Sequence, residues 1–194
     1  MRIGEALGLR WSDCDFDNDV IHVTHTLLYK EQEDGGYGYR ISEPKTKAGI
    51  RDIPMLSDVK EALLQEKSKK RRPDQAEFSV DGYTGFIFLN SADKVFTPAF
   101  VFDSIRSITY DHNKEELLLA EKEKREPVYL PKFSAHILRH TFCTRLCENE
   151  TNIKVVQDVM GHKNIRTTMD VYNEATEAQK KLSFQGLEGK IKLT

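Results

Sequence analysis

The chain has 194 residues, 39% of them hydrophobic, and its 31 acidic against 29 basic side chains leave a formal charge of −2. A chain of this length buries roughly 70% of the surface its unfolded form exposes, so neither disulfides nor a metal is required to hold a core. No apolar run approaches the roughly 20 residues of a membrane helix, the first ten residues lack the apolar centre of a secretory signal, and the near-neutral balance excludes a uniformly basic nucleic-acid binder but not a local cationic face. The expectation is an intracellular, cytoplasmic protein.

Residues 2–10 place Ile3, Leu7 and Leu9 near helical spacing, and the acidic stretch after Trp11 ends that helix. From Val20 to Met55 the pattern changes to alternation, with turns at residues 33–36 and 47–49, which predicts three short antiparallel strands. Ser57 as N-cap, Asp58 at the positive helix end and the basic run 67–72 at the negative end predict a helix stopped by Pro73. Residues 74–95 read mostly as loop. Thr97-Pro98 starts a helix whose Val101, Ile105 and Ile108 fall on one face, and residues 114–126 read as a charged surface helix or an excursion. Ser134 caps a helix running from Ala135 to about Glu148. Asn152 caps another, carrying Val155, Val156, Val159 and Met160, that stops at Gly161, and residues 167–175 form a third. Leu182, Phe184 and Leu187 mark residues 176–194 as a segment that packs on this domain or on a neighbour.

The expected fold class is therefore mainly α (α+β), a helical domain over residues 1–175 with a small three-stranded antiparallel sheet. Cys14, Cys143 and Cys147 are odd in number and widely placed. They fit a reducing compartment and read as small buried hydrophobes.

Four places stand out for charge chemistry: Arg2, a lysine in the turn holding Lys45 and Lys47, His136 with Arg139, and His162 followed ten residues later by Tyr172. Singly, each is most often a surface ion, a common pair or a packing residue. Together their wording is specific. Arg2-Ile3-Gly4-Glu5 through Leu9-Arg10-Trp11-Ser12-Asp13, Pro44-Lys45-Thr46-Lys47 through Ile53-Pro54, His136-Ile137-Leu138-Arg139-His140-Thr141, Gly161-His162 and Tyr172 occur in that order. Over residues 2–172 this resembles the tyrosine recombinase, or phage integrase, family.

The resemblance implies a helical DNA breaking-rejoining catalytic domain. It implies cleavage by Tyr172 to a 3′-phosphotyrosine and a free 5′ hydroxyl, then attack by the partner strand, serving integration or excision of a mobile element. No metal or nucleotide cofactor is implied. The implied partners are duplex DNA and three further copies in a homotetramer, with DNA-binding domains upstream and residues 176–194 docking on a neighbouring protomer.

The chemistry fits the residue types. Attack on a phosphodiester builds negative charge on its non-bridging oxygens, and two planar guanidiniums, Arg2 and Arg139, suit that task. A phenol with a pKa near 10 is roughly one part in a thousand ionised at pH 7, so Tyr172 needs a base, and His136 is the candidate. The leaving 5′ oxygen needs an acid; the wording after Pro44 favours Lys45, while Lys47 stays open by spacing. His162 is a candidate donor to a phosphoryl oxygen or a structural support for the Tyr172 segment. Glu5, three residues beyond Arg2, shares its helix face and orients a neighbour. His140 completes an H-x-x-x-H spacing, but Ile137 stands where a zinc peptidase carries its glutamate. The run 67–72, Lys163 and Arg166 are candidate phosphate contacts. Two rivals remain: a type IB topoisomerase, and a DNA-binding regulator in which residues 152–172 act as a helix-turn-helix.

Overall fold

Strand partnership in the amino-terminal half follows from which alternating residues find a buried neighbour. A computed structural model describes residues 1–33, 35–44, 47–69, 78–150 and 152–174. The three-stranded antiparallel sheet comprises β1 (Cys14–Asp15), β2 (Val20–Val23) and β5 (Arg51–Pro54), with β2 central. Ile21 lies opposite Cys14 on one side and Ile53 on the other, and Val23 lies opposite Arg51. The extended stretch after Tyr37, expected in the same sheet, instead forms a separate hairpin of β3 (Thr26–Glu31) with β4 (Tyr37–Ser42). Its strands are held by cross-strand aromatic pairs, Tyr29 with Tyr39 at 4.9 Å and with Tyr37 at 5.8 Å.

α1 spans only Ile3–Leu7, because after Gly8 the chain turns into a bridge between Arg10 and Phe86. The amides of Trp11 and Ile87 donate to Gly85 and Leu9 carbonyls at 2.9 Å, and this pairing draws Phe86 and Ile87 into complete burial. α1 lies directly against β3: a Cβ on Gly4 would sit 2.6 Å from the Leu27 carbonyl oxygen, and one on Gly8 3.0 Å from the Leu27 amide.

α2 (Ser57–Ser68) begins one residue earlier than expected. Leu56 is the N-cap and Ser57 the first helical residue, since buried Met55, its amide on the Asp19 carbonyl at 2.6 Å, sets where the strand ends. Lys67 stacks its ammonium over the Trp11 and Phe16 rings, at 5.6 and 5.3 Å. Pro73 and residues 70–72 lie outside the described residues.

α3 (Pro98–Glu123) starts at Thr97, whose hydroxyl accepts the Phe100 amide at 3.2 Å, and absorbs the charged stretch into 26 continuous helical residues. Ile108 is exposed, contrary to expectation. The inward stripe runs through Val101, Ile105 and Thr109 at i, i+4, i+8, which leaves Ile108 beside it on the solvent flank. Beyond Lys124 the chain returns along α3. Glu116 accepts Arg125 and the Val128 amide, and Asn113 exchanges two hydrogen bonds with the Leu130 backbone.

α4 (Ala135–Asn149) is capped by Ser134 and α5 (Ile153–Met160) by Asn152, both as expected. A further helix, α6, covers residues 165–174. Cys143, Cys147, Val156, Met160 and Val171 form one buried cluster among these helices, and all three cysteines are free and buried. Among the described residues no helix is long and apolar enough to cross a membrane, and no group of His, Cys, Asp or Glu is arranged to hold a metal ion. The expected docking segment, residues 176–194, lies outside the described residues.

Candidate active site

The last turn of a helix leaves carbonyls without intrahelical donors, and α5 meets this in two ways. Gly161, left-handed at φ 63°, turns the chain so that its amide and that of His162 donate to Asp158 and Gln157 carbonyls, at 3.1 and 3.2 Å. The next three carbonyls accept from three arginines. Val159 accepts Arg51 Nε at 2.9 Å, Met160 accepts Arg139 Nη2, and Gly161 accepts Arg2 Nη2 at 3.2 Å. Cations at a helix C-terminus also meet the negative end of its dipole.

Arg2 and Arg139, 137 positions apart in the chain, are thereby brought to one place. Behind them lies Glu5. Its carboxylate accepts the Arg2 amide at 2.7 Å and Arg2 Nη1 at 2.9 Å, which bears out its expected orienting position, and it takes a two-pronged contact from Arg51 at 2.8 and 3.2 Å. Burial pushes the Glu5 carboxyl up, but the hydrogen bonds from Arg51 and from the Arg2 amide outweigh it and hold the group at about 2. Three guanidiniums, Arg2, Arg51 and Arg139, surround this single carboxylate, so the cluster carries two positive charges in excess among the described residues. Burial, then the charge of Arg2, lowers the Arg139 pKa. Its Nη1 is buried with no hydrogen-bond partner among the described residues.

His162 enters the same field one residue past the α5 cap. Burial, followed by the charges of Arg139, Arg2 and Arg51, pushes its imidazole down to about 4, so the ring is neutral at pH 7. Nδ1 lies 3.0 Å from the hydroxyl of fully buried Thr168 on α6. Tyr172, one turn further along α6, is half-buried and packs against the Cys143–Met160–Val171 cluster. His136 stands exposed on the first turn of α4, three residues before Arg139 and on its face. Lys163 and Arg166 are exposed where α6 begins, and His140 is exposed on α4.

Lys45 lies outside the described residues. The backbone of Lys47 opens a short 3-10 turn, Lys47–Gly49, that reaches the α5 cap: the Ala48 carbonyl oxygen would be 3.0 Å from a Cβ on Gly161. The choice between the two lysines is unchanged.

Two residues of the cluster escaped sequence reasoning. Arg51 sits on β5 at an inward position, opposite buried Val23, where alternation calls for an apolar side chain. That mismatch was the available signal. Thr168 carries none.

As chemistry, the arrangement is a rigid, partly dehydrated anion site: fixed planar donors, excess positive charge and a neutral imidazole at its margin. Known proteins point the same way. The Phage integrase family profile matches residues 1–179. The transposase from transposon Tn916 of Enterococcus faecalis is 34% identical over 177 residues, covering 91% of this chain and 40% of that protein. A tyrosine recombinase XerC-like protein of Caldanaerobacter subterraneus subsp. tengcongensis is 30% identical over 184 residues, covering 93% of this chain and 44% of that protein. Among solved structures, the Tn1549 transposon integrase in complex with transposon right-end DNA superimposes with a TM-score of 0.74 at 34% identity, over 94% of this chain and 55% of that one. The chain thus spans less than half the length of these curated relatives. With the matched profile covering nearly all of its described residues, the chain belongs to the phage integrase family of tyrosine recombinases.

Proposed function

We propose that this chain is the catalytic part of a site-specific DNA recombinase that cuts and rejoins strands through a 3′-phosphotyrosyl intermediate, in the integration or excision of a mobile element. The carrying observation is the meeting of Arg2, Arg139 and His162 at the carboxyl end of α5, with positive charge in excess. That excess calls for an anion, and a DNA phosphate supplies one. The Tn1549 integrase, similar over most of this chain, is in complex with DNA, which supports duplex DNA as the partner.

In the proposed reaction the Tyr172 hydroxyl oxygen attacks the scissile phosphorus and gives its proton to His136. The bond from phosphorus to the 5′ oxygen breaks, and Lys45 protonates that oxygen. Arg2 and Arg139 hold the non-bridging oxygens as their charge grows. His162, neutral, accepts the Thr168 hydroxyl at Nδ1 and so presents Nε2–H to the phosphoryl group. Rejoining runs the same steps in reverse, with the 5′ hydroxyl of the partner strand as nucleophile. Four protomers on two duplexes, with residues 176–194 reaching a neighbour, complete the proposed assembly.

The test is a nicked suicide substrate carrying a candidate element end. A protein–DNA adduct that survives denaturation supports the proposal, and its persistence in Tyr172→Phe refutes the nucleophile. Relaxation of supercoiled plasmid without sequence preference would favour the topoisomerase alternative.

A further inference from the structure

We propose that Arg51, on β5, is a positioning residue for strand transfer: it fixes Arg2 through Glu5 and fixes the His162 segment through the end of α5. The inference rests on the recombinase reading above. Arg51 is buried, and four of its five N–H donors are engaged within the protein. Nη1 and Nη2 reach the two Glu5 oxygens at 3.2 and 2.8 Å, Nε reaches the Val159 carbonyl at 2.9 Å, and Nη1 also reaches the Gly49 carbonyl at 3.4 Å. Buried and so engaged, it acts through Glu5 and the α5 cap. It ties together three pieces of chain that meet nowhere else in sequence: the helix after Arg2, the turn Lys47–Gly49 and the α5 cap.

The contacts are tight enough to transmit position. A Cβ on Gly161 would lie 2.8 Å from Arg51 Nη1, so the left-handed cap fits against the guanidinium only because residue 161 has no side chain. Glu5, gripped by Arg51, in turn accepts both the backbone amide and the guanidinium of Arg2. Without Arg51, Glu5 keeps its bonds to Arg2 but loses its anchor to the sheet, and the Val159 carbonyl loses its donor. Both sides of the anion site then shift relative to each other. A lysine retains the charge opposite Glu5 but has no planar fork to span Glu5 and Val159 together.

The test uses Arg51→Lys in the present chain, with Arg51→Met combined with Glu5→Gln as a second, charge-neutral replacement should the first fail to fold. Each is compared with the unaltered chain by thermal melting, by the His162 imidazole titration in NMR, and by adduct formation on two suicide substrates. One carries an ordinary scissile phosphate, the other a methylphosphonate, which lacks the anionic oxygen that Arg2 serves. The expected result is a folded variant whose His162 midpoint rises from about 4, because the loosened α5 cap relieves the burial that is the main cause of its low value. Its cleavage falls about 10²-fold on the phosphate and by less than about tenfold on the methylphosphonate. A folded variant with an unmoved His162 midpoint, or with equal losses on both substrates, overturns the proposal. If the unaltered chain makes no adduct on either substrate, the recombinase reading fails for this chain, while the His162 titration still decides whether Arg51 sets the geometry.

Discussion

The two halves of the candidate active site are built by different forces. At the arginine end, α1, β5 and α5 are joined by directional hydrogen bonds: three guanidiniums on three successive carbonyls and one carboxylate shared between two of them. At the tyrosine end, α4, α5 and α6 also share an apolar cluster of Cys143, Cys147, Val156, Met160 and Val171, against which Tyr172 packs, beside the Arg139–Met160 and His162–Thr168 hydrogen bonds. Directional bonds fix atoms to within tenths of an ångström and make the anion site preorganised. Apolar contact fixes volume more than direction, which fits the approach to a phosphorus proposed for Tyr172.

Substitutions at either end separate the two behaviours. Tyr172→Phe is expected to have the largest effect, abolishing covalent adduct while duplex affinity in a gel shift is unchanged; lost affinity would mean that the ring itself is part of the DNA contact. Next, Arg139→Ala should lower the rate of adduct formation by about 10²–10³-fold, the usual loss for one preorganised donor, with DNA binding partly retained. A rate within a few-fold of the unaltered chain in single-turnover assays would remove Arg139 from the proposed site.

Gly161→Ala is expected to act on folding first. A non-glycine residue in the left-handed region costs roughly 1–2 kcal/mol, and here the added methyl also meets the Arg51 guanidinium. A melting midpoint lower by about 2–8 °C follows, and an unchanged midpoint would show that the cap relaxes freely.

The smallest effect is on acid stability. His162 is pushed down to about 4 in the folded state, so between its ordinary value of 6.5 and about 4 the unfolded chain binds the extra proton and stability falls as pH falls. Glu5, held at about 2 against 4.5, adds a second loss between 4.5 and about 2, where the unfolded chain takes up a proton that the folded one does not. His162→Gln should flatten the upper arm and leave the lower one. Urea melts across this range measure both.

Much of the site is legible in sequence, because its residues sit in short, ordered motifs: Arg2 with Glu5, His136 with Arg139, Gly161 with His162. The caps are equally local: Thr97, Ser134 and Asn152 mark the starts of α3, α4 and α5 by side-chain chemistry within three residues, and Gly161 marks the end of α5 by its left-handed backbone. What escapes is partnership at a distance. Alternation shows that residues 37–43 are extended but not which strand they choose, and the tyrosine pairs that decide it lie on two strands. Arg51 is a misplaced inward charge whose partner is invisible until Glu5, 46 positions earlier, is seen to meet its fork. Ile108 fails for a related reason: the inward stripe climbs by i+4 steps from Val101 through Ile105 to Thr109, and each step turns it about 40° further from the i+7 side chain.

The bare face of α1 has a consequence for how such a site drifts over time. Because Gly4 and Gly8 let backbone rest on backbone at β3, main-chain spacing sets the height of the first arginine together with the Glu5–Arg51 contact. A single methyl added at Gly4 would then lift α1 and the arginine with it.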